Sequence, residues 1–168
     1  MYDYGHEKED WYDTSQICLN GHIVTETAEQ NPNSKRDFCE SCGKKTTTQC
    51  PKCKSKIEGY HHMSGVAYMS SFVAPRYCTS CGKPYPWTET KIQALKELAD
   101  KFNEISTEER EKFKESIDDI VVETPKTEIA SNRFKLIFNK ISPQSKEIVK
   151  QISLSLICES AKKLIFGT

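Results

Sequence analysis

Cysteine is the residue type that points most directly to chemistry in this sequence. Seven of its eight cysteines fall between positions 18 and 81, six of them as Cys-x-x-Cys pairs, and His22 follows Cys18 by four residues to supply an eighth ligand. Two such ligand pairs complete the four-coordinate shell of a structural zinc ion, so four pairs predict two structural zinc ions per chain. The predicted ligands are Cys18, His22, Cys39, Cys42, Cys50, Cys53, Cys78 and Cys81.

An internal repeat indicates how the ligand pairs combine. Residues 38–44 read Phe-Cys-Glu-Ser-Cys-Gly-Lys and residues 77–83 read Tyr-Cys-Thr-Ser-Cys-Gly-Lys, which look like equivalent second pairs of two successive modules. The predicted grouping is therefore sequential, with the Cys18/His22 pair joined to Cys39/Cys42 and Cys50/Cys53 joined to Cys78/Cys81. Two alternatives stay open. A cross-braced arrangement would join the first pair to the third, and a compact one would join the second pair to the third.

A disulfide framework is the main alternative use of these cysteines. The first residues are acidic and polar, whereas a secretory signal needs a basic and then an apolar stretch, and no apolar run approaches the roughly 18 residues of a membrane span. We therefore expect a cytoplasmic protein without a membrane partner, in a compartment where thiols stay reduced.

The distribution of large apolar residues divides the chain of 168 residues into two parts. Residues 1–87 contain nine Leu, Ile, Val or Phe residues, whereas residues 88–168 contain 25. Only the second part can close a core by hydrophobic burial alone, so the first part must rely on metal. The predicted domains are a double zinc-ribbon module at 1–87 and an α-helical bundle at 88–168. The fold class is α+β, with two tandem β-hairpin zinc ribbons followed by three to four helices.

Four helices are predicted after Trp87. Thr88 would cap the first, with Trp87 packing onto Ile92, and Ser106 would open the second with a capping box closed by Glu109. Thr124-Pro125 and Ser142-Pro143 each place a cap before a proline and would open the third and fourth, the latter running to about Phe166. Cys158 lies in that last helix, where we expect a small buried apolar side chain. Within the first module, Ile23, Val24 and Thr25 with the turn-forming residues 31–34 would make the first hairpin.

The insert between the last two cysteine pairs has no formal charge from Gly59 to Pro75. A long loop rich in aromatic, Met and Gly residues often binds something, but it can equally pack against the rest of the protein. Both interpretations stay open. The candidate partner-binding residues are Tyr60, His61, His62, Tyr68 and Phe72.

Charge bears on nucleic-acid binding. The chain balances 24 Lys and Arg against 24 Asp and Glu, but residues 35–58 carry seven positive charges against three acids. Candidate phosphate contacts there are Lys44, Lys45, Lys52 and Lys54. Two zinc ions bound by seven thiolates would bring a charge of about −3 to the same module. That charge offsets most of the local excess and favours protein partners over nucleic acid.

The sequence contains no glycine-rich phosphate loop, Gly-x-Ser-x-Gly elbow or His-Glu-x-x-His motif. We therefore predict no enzyme and no small-molecule cofactor. The leading functional hypothesis is a zinc-stabilised protein-interaction or adaptor protein that binds a protein partner or self-associates. The alternative is a nucleic-acid-binding accessory factor, and the third is an enzyme with a site between ribbon and bundle.

The motifs also resemble a known family. They are Cys-Leu-Asn-Gly-His, Phe-Cys-Glu-Ser-Cys-Gly, Cys-Pro-Lys-Cys, Tyr-Cys-Thr-Ser-Cys-Gly-Lys-Pro and then Pro-Trp-Thr-Glu. Together they resemble a bacterial family catalogued as domain of unknown function 2321, over nearly the whole chain. The resemblance implies a bacterial cytosolic protein with paired zinc ribbons, ligated at the eight positions given above, and no assigned activity.

Overall fold

The computed structural model describes residues 10–63 and 72–167. The chain divides into two compact units, residues 1–87 and 88–168. All eight candidate ligands lie in the first unit, and most of the helical residues lie in the second. Within the described ranges, no helix has the length and apolar character that crossing a membrane requires.

Short antiparallel strands build the first unit. They are β1 (Trp11–Thr14), β2 (Gln16–Cys18), β3 (Ile23–Thr25), β4 (Thr46–Thr47) and β5 (Glu58–His62), with a 3-10 turn at Pro32–Ser34. One sheet has the order β3-β2-β4, and β1 pairs with β5 in a separate two-stranded ribbon. The predicted fold class, a small α+β protein with antiparallel strands before helices, is confirmed.

The strand pairing differs from two tandem hairpins. β3 folds back onto β2 around the Cys18–His22 turn, so this turn closes the first hairpin, and residues 31–34 lie beyond it. In the described part of the second spacer, β5 pairs with β1 and makes no hairpin of its own. β1 precedes the first metal ligand, so the ribbon joins the start of the first module to the middle of the second.

The core of the first unit is small. Its buried residues are Ile17, Cys50, Ile57, Cys78, Tyr85 and Trp87, with Phe72 packed against them. Only two of these side chains are aliphatic, and two are cysteines. Ile57 also ties segments together through its backbone, since its carbonyl accepts from Ser15 N at 2.8 Å and its N–H donates to Thr48 O at 3.0 Å.

The described residues then form five helices: α1 (Pro86–Ala99), α2 (Thr107–Val121), α3 (Thr127–Phe138), α4 (Pro143–Leu154) and α5 (Glu159–Phe166). α3 packs against both α2 and α5. The rings of Phe102, Phe113 and Phe134 follow one another through the buried interior, with centroids 5.6 Å and 4.4 Å apart. These three side chains anchor the core of the second unit.

Two predicted helix starts are correct. Ser106 caps α2 through a complete capping box with Glu109, whose N–H donates to Ser106 Oγ at 3.2 Å. Ser142 caps α4, with Pro143 at the first helical position. Both signals depend only on neighbouring residues, which is why the sequence shows them.

Two other predicted starts are wrong. α1 begins at Pro86, so Thr88 lies inside the helix, and Trp87 packs in the core of the first unit. α3 begins at Thr127, two residues after Pro125. The Thr127 hydroxyl donates to Val122 O at 3.0 Å and accepts from Thr124 N at 2.8 Å, so it organises the turn before the helix.

The predicted fourth helix is divided in two, so the part of the chain that the structure describes contains five helices where three to four were expected. The break lies between Leu154 and Glu159, and its residues Leu156, Ile157 and Cys158 are buried. Cys158 N donates to Ile120 O at 3.0 Å, so the end of α2 holds the break in place. As expected, Cys158 is a small buried side chain, only 4% exposed.

Candidate metal centres

Three of the four ligand turns share one backbone geometry. In the turns beginning at Cys39, Cys50 and Cys78, the N–H four residues on donates to the first cysteine's carbonyl at 2.8–2.9 Å. The residues at that fourth position have positive φ: Gly43 (66°), Lys54 (66°) and Gly82 (68°). This is the left-handed region that glycine occupies most easily, and Lys54 occupies it with a side chain.

The Cys18–His22 turn is built differently. Gly21 N donates to Cys18 O at 2.8 Å, and Gly21 has φ of 88°. A Cβ at Gly21 would lie 2.9 Å from Trp87 Cβ. This glycine therefore both completes the turn and admits the Trp87 side chain against its backbone.

The first cluster contains Cys18, His22, Cys39 and Cys42, whose ligand atoms all lie within 4.8 Å of one another. The Sγ atoms of Cys18 and Cys42 are 3.7 Å apart, and Cys39 Sγ lies 3.6 Å from His22 Nδ1. His22 N also donates to Cys18 Sγ at 3.3 Å. Cys18 and Cys39 are buried, whereas His22 is exposed, so solvent reaches this cluster from the histidine side.

The second cluster contains Cys50, Cys53, Cys78 and Cys81, again within 4.8 Å of one another. Cys50 and Cys81 Sγ are 3.9 Å apart, and Cys53 and Cys78 Sγ are 3.6 Å apart. The structure thus groups the eight residues sequentially, and neither the cross-braced nor the compact arrangement is present. All eight cysteines are free thiols.

The atom separations fit tetrahedral zinc. Zn–S bonds of about 2.3 Å and Zn–N bonds of about 2.0–2.1 Å place two sulfurs about 3.8 Å apart and a sulfur and a nitrogen about 3.6 Å apart. The sulfur pairs lie 3.6–3.9 Å apart, and the sulfur–nitrogen pair matches at 3.6 Å. Each cluster supplies four ligand atoms, so both are able to hold one ion in a closed shell.

Two side chains that were not predicted, Ser55 and Tyr85, lie beside the second cluster. Ser55 Oγ lies 3.1 Å from Cys53 Sγ and 3.2 Å from Cys78 Sγ. Tyr85 is buried in the same core cluster as Cys78 and so lies beside the second cluster. Ser55 had a local signal, a hydroxyl residue two positions after a ligand, but Tyr85 lies beyond its ligand turn and had none.

Each cluster contains at least one thiol that ionises readily. The Ser55 hydrogen bond lowers the pKa of Cys78 to about 5, against the opposing effect of burial. Burial also opposes ionisation of Cys39, but N–H groups of Ser41 and Cys42 outweigh it and lower the pKa of Cys39 to about 6. A thiolate at neutral pH is the form that binds a metal ion.

The last thiol of the second cluster resists ionisation. A hydrogen bond from Lys83 N–H favours the Cys81 thiolate, but burial and the three neighbouring thiols outweigh it and raise its pKa to about 11. Four thiolates this close need a cation between them. The donor set itself therefore fits a divalent soft-metal ion.

The histidines of the uncharged insert lie outside both clusters. Tyr60, His61 and His62 belong to β5, where His62 stacks on Trp11 with ring centroids 4.1 Å apart. His62 Nε2 also lies 3.4 Å from an oxygen of the buried Asp13 carboxylate. This part of the insert is a strand with ordered aromatic contacts.

The other candidate residues have separate positions. Phe72 packs against the core of the first unit, and Tyr68 lies outside the described residues. The candidate phosphate contacts are all exposed on the ligand turns: Lys44, Lys45, Lys52 and Lys54.

A family model matches residues 11–165 of this chain. The family is described as uncharacterised proteins conserved in bacteria, domain of unknown function 2321. The chain belongs to this family. No curated protein and no solved structure matches it. The matched region begins at the first residue of β1 and ends in α5, so it contains both clusters of this chain. The family resemblance stated from the motifs is confirmed.

Proposed function

We propose that this protein is a zinc-stabilised protein-interaction or adaptor protein of the bacterial cytosol, with two structural zinc ions and no catalytic centre. The observation that carries the proposal is an exposed aromatic pair on the β1–β5 ribbon, in a unit that also contains two four-ligand clusters. Trp11 is 42% exposed and Tyr12 is 55% exposed, both on β1. Aromatic residues are enriched at protein interfaces, where they supply rigid contact area.

Two features support a structural role for the ions. A catalytic zinc keeps an open position for water or substrate, whereas each cluster here offers four protein ligands. Among the described residues, the buried core cluster of the first unit contains two large aliphatic side chains, Ile17 and Ile57. A structural zinc ion contributes on the order of 10–16 kcal/mol to folding, comparable to the net stability of a whole domain. The free thiols suit a reducing compartment.

The metal part of the proposal is tested by elemental analysis and chelation. We expect two zinc ions per chain, and the same number in Cys158→Ala, which removes the cysteine that lies outside both clusters. Both tryptophans belong to the first unit, so their fluorescence reports on the folding of that unit. A chelator should unfold it. Fewer than two ions per chain, or unchanged fluorescence after complete metal removal, would contradict the proposal.

The interaction part is tested by affinity capture and light scattering with the zinc-loaded protein. We expect a stoichiometric protein partner or a defined oligomer, and its loss in the Trp11→Ala/Tyr12→Ala variant. Phe38→Ala is the control, since Phe38 is an exposed aromatic residue (62%) outside the ribbon. Recovery of no partner by a protein that remains monomeric would refute the adaptor role.

A second candidate function, nucleic-acid binding, is favoured by one observation. Lys45 and Lys54 line the same groove, which has a volume of about 220 Å³. Leu19 and Pro51 also line it, so residues from the ligand turns of both clusters form its walls. Phosphate binding there predicts an affinity that falls steeply with salt, by about 0.9 log units per phosphate for each log unit of salt concentration. Changing Lys44, Lys45, Lys52 and Lys54 to Gln should flatten that dependence.

The matched control for this experiment replaces four exposed lysines of the second unit, at positions 101, 126, 150 and 163. It makes the same change in net charge. Equal loss of affinity in both variants would mean that binding follows total charge and that the groove has no special part.

A further inference from the structure

A small aromatic cavity opens on the first unit beside β5. Its volume is about 220 Å³, and its walls include Tyr12, Phe72, Tyr77 and Tyr85, with Glu58 among the lining residues. Pockets for drug-sized ligands measure roughly 300–1,000 Å³. This cavity is smaller, and its size suits a single side chain.

Two of the rings are fixed by stacking. Tyr12 lies against His61 with centroids 4.2 Å apart and an interplanar angle of 11°. Tyr85 lies against Trp87 with centroids 4.6 Å apart and the same angle. The walls are therefore held in place before any ligand arrives, which lowers the entropic cost of binding.

The charge at the cavity is negative. Glu58 is exposed, and within the part of the chain that the structure describes no lysine or arginine pairs with it. On the other side, Tyr85 is buried in the same core cluster as Cys78, a member of the second metal-ligand cluster. A zinc ion held by four thiolates leaves that cluster with a net charge of about −2. Aromatic faces, a carboxylate and a negative cluster together favour a cation.

We propose that this cavity binds an arginine side chain of a partner protein. The inference rests on the proposed adaptor function and names the chemistry of its partner. Arginine fits better than lysine because its planar guanidinium stacks on aromatic rings and pairs with a carboxylate through two parallel hydrogen bonds. Tyr12, which is 55% exposed, supplies the accessible ring, and Glu58 supplies the carboxylate.

The test is an NMR titration of the zinc-loaded, ¹⁵N-labelled full chain with acetyl-Gly-Arg-Gly-amide. The control peptide carries citrulline, which keeps the shape of arginine without its charge. We expect saturable shifts for the arginine peptide at Gly59 and Thr79, two lining residues whose amides report on the cavity. A dissociation constant in the millimolar range is expected for a single side chain. The citrulline peptide should bind at least fivefold more weakly.

Two variants locate the binding. Tyr12→Ala and Glu58→Gln should each weaken the arginine peptide about fivefold, since each removes one attraction for the guanidinium. Both positions are exposed, so the fold tolerates the changes. Phe38→Ala and Glu40→Gln, an exposed aromatic and an exposed acid outside the cavity, are the matched controls and should bind as the unaltered protein does.

Three results would each overturn the proposal. They are equal binding of the arginine and citrulline peptides, shifts located elsewhere, and no shift at a peptide concentration about tenfold above the expected millimolar dissociation constant. Its failure is distinguishable from failure of the adaptor role. A protein partner held equally well by the unaltered chain and by Glu58→Gln leaves the adaptor role standing and overturns the arginine cavity.

Discussion

Adding one methyl group at Gly59 should strongly destabilise the first unit. A Cβ there would lie 2.2 Å from Glu26 O, 2.8 Å from Ser15 N and 2.9 Å from Thr14 C, all backbone atoms. Real Cβ contacts essentially never fall below 3.0 Å, so Glu26 O would have to move by about 0.8 Å. That carbonyl is fixed because it accepts from Tyr60 N at 2.8 Å. The Gly59→Ala change therefore forces β5 away from its neighbours.

The expected cost lies at the upper end of the range for overpacking, about 3 kcal/mol. Urea unfolding of the zinc-loaded protein, followed by tryptophan fluorescence, measures it for the first unit. With a denaturant slope of about 1.5 kcal/mol per molar, the urea midpoint should fall by about 2 M.

Gly43→Ala is the matched control for this prediction. Gly43 has φ of 66°, and a Cβ there would meet nothing within 4 Å. That change adds backbone strain without a clash and should cost about 1 kcal/mol. If Gly59→Ala unfolds at the same urea concentration as the unaltered protein, or is less destabilised than Gly43→Ala, the close backbone approach at Gly59 is wrong.

Three further predictions concern single residues. Lys54→Gly should raise the stability of the first unit by about 0.5–1 kcal/mol in the same assay because it relieves the positive φ of Lys54, whereas Lys52→Gly should not raise it. Ser106→Ala should lower the stability of the helices by about 1 kcal/mol in thermal unfolding followed by circular dichroism, and Ser106→Asp should retain most of it. Ser55→Ala should speed zinc transfer from the second cluster to a chromophoric chelator because it removes the hydroxyl that contacts two thiols, with Ser41→Ala as the control. Equal transfer rates would contradict that role.

The ligand groups could be predicted because their chemistry is local. A tight turn brings Cys50 and Cys53 together whatever the rest of the chain does, and the repeated Ser-Cys-Gly-Lys segment marks equivalent turns. The capping box at Ser106 is local in the same way. The helical second part followed from its apolar periodicity, and the family from the motifs.

The features that were missed depend on distant residues. β1 is short and pairs with β5 across more than 40 residues, so no local sequence feature near Trp11 indicates which strand it pairs with. The absence of charge predicts a surface loop at residues 59–62, yet they pair with β1 and stack on its aromatic rings as a strand. The break between α4 and α5 was hidden because Leu156, Ile157 and Cys158 are all apolar, as residues of a buried helix would be.

The β1–β5 ribbon also has a consequence for the order in which metal ions bind. β2 carries Cys18 and follows β1 directly, while β5 lies between the ligand pairs of the second cluster. Binding of an ion at the first cluster orders β2 and, with it, the strand on which β5 must pair. The second ion then meets a chain with a shorter segment left to order, which raises its affinity. Loading should therefore be cooperative: native mass spectrometry at one zinc ion per chain should show mainly chains with two ions and chains with none.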